Sequence, residues 1–126
     1  MIRCSAGSIL AAEPRRQDGE HLLRSLAGLE RPVMLALSVQ EALALMRRIL
    51  LEAAVVAAEL ESPEQPLLER LWRLPTLSCL VAVGPPGQPE LERQARMAGA
   101  NAYLIRPVRP EQLRQAMGRS LGSMEF

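Results

Sequence analysis

The sequence predicts an α/β domain built on a doubly wound, five-stranded parallel sheet. Three observations predict it. Five short apolar runs alternate with five segments of helical period, a (βα)5 pattern. The fourth run, residues 78–83, is apolar throughout, as in a strand buried on both faces. Proline or glycine stands at most junctions between the runs. Such a sheet, with right-handed crossovers, takes the strand order 2-1-3-4-5 and places its functional crevice at the carboxyl ends of the strands.

The first strand is expected over residues 8–12, closed by Glu13-Pro14. A helix over 19–29 follows, with Leu22, Leu23, Leu26 and Leu29 at helical spacing, and Arg31-Pro32 breaks it. The second strand is residues 33–37. Ser38 then stands three residues before Glu41, the spacing of a capping box, and opens a helix carrying Ala42, Leu43, Leu45, Met46, Ile49 and Leu50. The third strand is residues 54–58, closed by Glu59. Pro63 and Pro66 bracket a loop before a helical stripe of Leu67, Leu68, Leu71 and Trp72. The fourth strand stops at Gly84-Pro85-Pro86-Gly87. A short helix over 89–97 has Pro89 in its first turn and Gly99 as its C-cap. The fifth strand, residues 102–105, ends at Arg106-Pro107, and a last helix over 110–119 shows Leu113, Ala116 and Met117 on its inner face.

A chain of 126 residues fits one domain. The expected division is a leader over 1–7, the domain over 8–120 and a tail or linker start over 121–126. Aromatic residues are 2% of the chain, so Leu, Ala and Val must fill the core. That scarcity argues against base stacking, and a net charge of +1 gives no bulk pull toward nucleic acid or anionic lipid. Cys4 and Cys79 form no metal-ligand pattern and read as buried thiols. No signal peptide or membrane span is visible, so a cytoplasmic location is expected.

Glu13, Glu59, Gly84 and Arg106 follow four of the strands and should surround one crevice. Two carboxylates facing one guanidinium make a compact ionic site. Arginine suits planar, bidentate carboxylate contacts, so Glu59 and Arg106 are expected to pair.

Four stretches carry a resemblance. They are Ile9-Leu10 with Glu13-Pro14; residues 36–43 with Glu41-Ala42-Leu43; residues 55–63, with an acid at 59 and a proline four positions later; and Ala98-Gly99-Ala100 through Tyr103 to Arg106-Pro107-Val108. In that order and spacing the chain resembles the receiver domain of bacterial two-component response regulators, a flavodoxin-like fold, over about residues 8–120. The resemblance implies a phosphoacceptor at Glu59, an acidic pair at Glu13 and Pro14, a hydroxyl position at Gly84, a lysine position at Arg106 and a switch aromatic at Tyr103.

Most of that chemistry is altered. Pro14 removes one carboxylate of the Mg²⁺-holding pair, leaving at most weak Mg²⁺ ligation by Glu13 and Glu59. Glu59 is one methylene longer than aspartate, which moves its oxygens outward by roughly 1–1.5 Å. A misplacement of about 1 Å can cost on the order of 100-fold in rate. Gly84 has no hydroxyl to donate. The chain has no lysine, and its only aspartate is Asp18, so Glu59 and Arg106 follow a general bias. Pro14 and Gly84 do not.

The expected function is therefore that of an atypical, or pseudo-, receiver: a phosphorylation-independent signalling and protein-interaction module, not an enzyme and without a required cofactor. It would regulate an output domain or a partner protein. Its partner, or a second copy, would dock on the face of helix four, strand five and helix five. That face carries Arg93, Arg96, Tyr103, Arg109, Arg114 and Arg119 with Glu90, Glu92 and Glu111. The Pro-Pro loop at 85–86 should stiffen the neighbouring hinge. The alternative is a phosphate-accepting receiver with unusual site residues. A small-ligand sensor is a third class, and no glycine-rich phosphate loop supports it.

Overall fold

The computed structural model describes residues 7–118. Cys4, Arg119 and the tail expected over 121–126 lie outside the described residues. The strands are β1 (Ser8–Ala12), β2 (Val33–Ala36), β3 (Leu51–Ala57), β4 (Cys79–Gly84) and β5 (Ala102–Ile105). The helices are α1 (Arg16–Leu26), α2 (Val39–Arg48), α3 (Leu67–Trp72), α4 (Pro89–Met97) and α5 (Pro110–Gly118). All strand pairs are parallel, in the order β2-β1-β3-β4-β5.

The pleat sends alternate residues of each strand to opposite faces. Leu10, Ala12, Ala54, Val56, Leu80 and Ala82 join one buried cluster with Ala42 of α2, Leu67, Leu68 and Leu71 of α3 and Ala95 of α4. Ile9, Ala11, Ala53, Val55, Cys79, Val81 and Val83 join the other with Leu22 and Leu26 of α1 and Leu113 and Met117 of α5. Both clusters are made almost wholly of aliphatic side chains.

Several boundaries differ from the periodicity. Helix α1 begins at Arg16, three residues before Gly19, and Ala27–Leu29 form a 3₁₀ turn rather than its last turn. Gly19 lies inside α1 because the helix closes tightly on β2 there: a Cβ at 19 would stand 2.8 Å from Leu35 Cδ1. Helix α2 stops at Arg48, and Ile49 is already extended. Strand β3 starts early because Leu51 and Ala53 pair with Ser8 and Ile9. It ends at Ala57, and Ala58–Leu60 form a 3₁₀ turn carrying Glu59. Trp72 is not part of the buried stripe: it is 56% exposed, with its indole lying across Gly99.

The cap at Ser38 is made. Ser38 Oγ accepts from the Glu41 N–H at 3.1 Å. The Glu41 carboxylate reaches one residue further back than a capping box requires, to the Leu37 N–H at 2.7 Å. Ser38→Ala is expected to cost about 1 kcal/mol of unfolding free energy, read from urea denaturation. A second cap had no local sequence signal: Glu61 Oε1 accepts from the Leu68 N–H of α3 at 2.6 Å.

Candidate functional site

Three strand ends deliver the ionic residues. Glu13 follows β1, and its N–H donates to Ala36 O at 2.9 Å, which extends the sheet ladder by one step. Its side chain is 1% exposed. Glu59 sits in the 3₁₀ turn after β3, about a third exposed. Arg106 follows β5, and its N–H donates to Gly84 O at 2.9 Å.

The Arg106 guanidinium spans both carboxylates. Nη1 donates to Glu59 Oε2 at 2.8 Å and Nη2 to Glu59 Oε1 at 2.9 Å, a bidentate fork. Nη2 also donates to Glu13 Oε2 at 2.9 Å, and Nε to the same oxygen at 3.3 Å. The ionic site expected from the strand ends is therefore assembled, with one cation shared by two anions. Asp18 of α1 approaches Arg106 Nε at 3.9 Å.

The environments of the two carboxylates push them apart. Burial raises the Glu13 carboxyl above its ordinary value, against the pull of its Arg106 hydrogen bonds. Its Oε1 is buried with no hydrogen-bond partner among the described residues. The Arg106 hydrogen bonds hold the more exposed Glu59 below its ordinary value, against a smaller burial cost. For Arg106 itself, burial opposes the charge, and the hydrogen bonds to Glu59 and Glu13 outweigh it, so the guanidinium stays charged.

The remaining predicted positions are not part of this hydrogen-bonded cluster. Pro14 is exposed and offers no donor. Gly84 is buried as the last residue of β4. Above it lies the phenol of Tyr103: a Cβ at Gly84 would stand 1.8 Å from Tyr103 Oη and 2.7 Å from Cζ. The phenol thus fills the volume that a side chain at 84 would occupy. Tyr103 Oη is buried and has no hydrogen-bond partner among the described residues. Burial first, then the charges of Glu59 and Glu92, raise its pKa above the ordinary value.

Sequence reasoning missed two residues beside the cluster. A cavity of about 430 Å³ is lined by Glu13, Asp18, His21, Val83, Arg106 and Val108, among others. His21 Nε2 lies 2.7 Å from Val108 O, and a carbonyl can only accept, so Nε2 carries the proton. The available signal was compositional: Asp18 is the only aspartate in the chain. Among the described residues, no group of three or more His, Cys, Asp or Glu is placed to hold a metal ion. No helix among them is long and apolar enough to cross a membrane.

No family model and no curated protein matches the chain. Solved structures do. A CheY-like response regulator receiver domain protein from Methanospirillum hungatei JF-1 is 23% identical, with a TM-score of 0.79 over 96% of this chain and 98% of that one. The signal receiver domain of an HD domain-containing protein from Pseudomonas fluorescens Pf-5 is 20% identical, with a TM-score of 0.81 over 94% and 97%. The signal receiver domain of a modulated diguanylate cyclase from Desulfovibrio desulfuricans G20 is 18% identical, with a TM-score of 0.78 over 94% and 96%. Together with the observed strand order, these likenesses establish that the chain has the CheY-like, flavodoxin-type fold of response regulator receiver domains.

Proposed function

We propose that this domain is a pseudo-receiver, a signalling module that works through protein contacts without accepting a phosphoryl group. The observation that carries the reading is the guanidinium of Arg106 held between Glu13 and Glu59. Both oxygens of Glu59 accept hydrogen bonds from Arg106, so the carboxylate at the phosphoacceptor position is already engaged. Phosphoryl transfer depends on positioning and a near-in-line approach, and the guanidinium fork restrains both oxygens.

The residues do not fit Mg²⁺. Mg²⁺ demands near-ideal octahedral oxygen geometry at about 2.0–2.1 Å, with one or two carboxylates free to bind it beside its waters. Here Glu13 Oε2 and both Glu59 oxygens face a fixed cation, and Pro14 supplies no ligand. A divalent ion would have to displace a charged guanidinium that is only 13% exposed. The hydroxyl that would complete a phosphoryl site is absent at Gly84, and the half-buried phenol of Tyr103 stands in that volume.

Signalling then falls to the surface of α4, β5 and α5. On α4 the charges largely satisfy one another: Arg93 pairs with Glu90, and Arg96 with Glu92 at 3.1 Å. Such exposed pairs are screened by water and give little drive for docking. The contact is better carried by Ile105, an apolar β5 residue left 48% exposed on the edge strand. The similar structures from an HD domain-containing protein and a diguanylate cyclase support a regulatory role next to an output domain.

The test is incubation with acetyl phosphate and Mg²⁺, followed by intact mass measurement. No phosphoryl adduct is expected. A stable gain of one phosphoryl group that disappears in Glu59→Gln would establish the opposite reading, a phosphate-accepting receiver.

A further inference from the structure

We infer that Gly84 and Tyr103 form a steric latch, which seats the phenol inward over β4 whatever state the carboxylate crevice is in, and so fixes the α4–β5 surface in one form. The inference rests on the pseudo-receiver reading and names how that surface would be held.

The backbone of Tyr103 cannot move freely, because it lies in the β-ladder opposite Ala82. Its ring can move only by side-chain rotation, and two seats are available. One is inward over Gly84, where the ring packs against the cluster on the α2–α3–α4 side of the sheet. The other is outward, where Pro85, Gln88, Pro89, Glu92 and Ile105 border a depression of about 190 Å³ that Tyr103 also lines.

The inward seat exists only because residue 84 has no side chain. A Cβ there would approach Oη to 1.8 Å and Cζ to 2.7 Å, whereas apolar contact needs about 3.5 Å. The obstacle would be backbone-fixed, since Gly84 is itself paired with Ile105 and accepts the Arg106 N–H. The phenol has no hydrogen bond holding it in place, to Glu59, to Arg106 or to any other described residue. Space and packing alone keep it inward. A ring with no hydrogen bond to the crevice is not pulled from its seat by what occupies the crevice.

The chain contains a single tyrosine, so its signals are unambiguous. Ring-proton nuclear Overhauser contacts to the residue 84 α-protons, together with phenol titration, report the seat. Wild type is expected to show those contacts and to titrate above the ordinary value of about 10. The contacts should persist in Glu59→Gln and after incubation with acetyl phosphate and Mg²⁺. Gly84→Ala should lose them, and its phenol should titrate back near about 10. Contacts that survive in Gly84→Ala would overturn the latch, as would a ring turned outward by Glu59→Gln or by acetyl phosphate.

If Gly84→Ala does not fold, the double variant Gly84→Ala/Tyr103→Leu decides the matter. It should fold, because the phenol end is gone, and a double variant as damaged as the single one overturns the latch. The two readings separate cleanly. A phosphoryl gain with the ring unmoved defeats the pseudo-receiver reading and upholds the latch. A ring released without any phosphoryl gain does the reverse.

Discussion

Arg106→Ala is expected to lower the unfolding free energy by about 3–5 kcal/mol at neutral pH, the cost of leaving a buried charge without its partner. The charge in question is Glu13, whose side chain is 1% exposed and whose Oε1 already lacks a hydrogen bond. Losing Arg106 strips Oε2 of both its donors as well. Glu59 suffers less, because water can reach it. Arg106→Lys keeps a charge but not the planar fork, so it should fall between wild type and Ala. In Glu13→Gln/Arg106→Ala the buried side chain is neutral, and most of the loss should return. A loss below about 1 kcal/mol in Arg106→Ala would place the cluster with ordinary surface pairs and remove its structural role.

The same variant should have a distinctive pH dependence. Glu13 has a folded-state pKa above the ordinary 4.5, because burial outweighs its Arg106 hydrogen bonds. Such a group favours folding fully below the ordinary value and loses that contribution as pH rises through the folded value. Removing Arg106 takes away most of what opposes burial, so the folded value climbs further. Glu59 has the opposite sign: its lowered pKa contributes above the ordinary 4.5 and is lost as pH falls through the folded value. Most of that contribution goes with Arg106, its largest cause. Both effects make the deficit of Arg106→Ala largest near neutrality and smaller in acid. Urea denaturation at neutral pH and at about pH 4 should show the gap between variant and wild type narrowing.

The fold was legible because each strand is a short apolar run, each run is followed by helical spacing, and the run at β4 reads as a strand buried on both faces. Strands β1 and β5 and helix α4 coincide with their predicted bounds. The misplaced boundaries answer to tertiary contacts and not to local spacing. Ile49 and Leu50 continue a helical apolar spacing but are drawn out of it because β3 must reach Ser8. Gly19 looks like a helix opening in sequence, while its use is close packing on Leu35.

At the site, charges at strand ends were readable and volumes were not. Glu13, Glu59 and Arg106 are marked by their positions after apolar runs, and the fold brings them within hydrogen-bonding distance. Gly84 was read as a lost hydroxyl. In the structure it is also a space, filled from the adjacent strand by a residue nineteen positions later, and nothing local to Gly84 encodes that. Asp18 and His21 reach the crevice from α1, where helical spacing marks the apolar residues and not the half-buried polar ones between them.

Leu80→Ala is expected to cost in the upper part of the about 2–5 kcal/mol range for leucine truncation in a core. The reason lies in the aromatic-poor composition. Leu80 is 0% exposed and belongs to a cluster that includes Ala12, Ala42, Ala54, Ala82, Ala95 and Ala100. An alanine has no side-chain rotation with which to swing into a vacated space, so less of the cavity can close. The backbone cannot subside either. Leu80 N–H donates to Asn101 Oδ1 at 2.7 Å, and Leu80 O accepts from the Asn101 N–H at 2.7 Å. Residue 80 is therefore clamped while the packing around it is deleted. Ile105→Ala is the contrast, since Ile105 is 48% exposed and its truncation leaves no enclosed void. Urea midpoints with unchanged slopes should separate the two variants widely. A Leu80→Ala cost below about 2 kcal/mol would mean that the alanine-rich layer collapses after all. The core would then be more plastic than its composition implies.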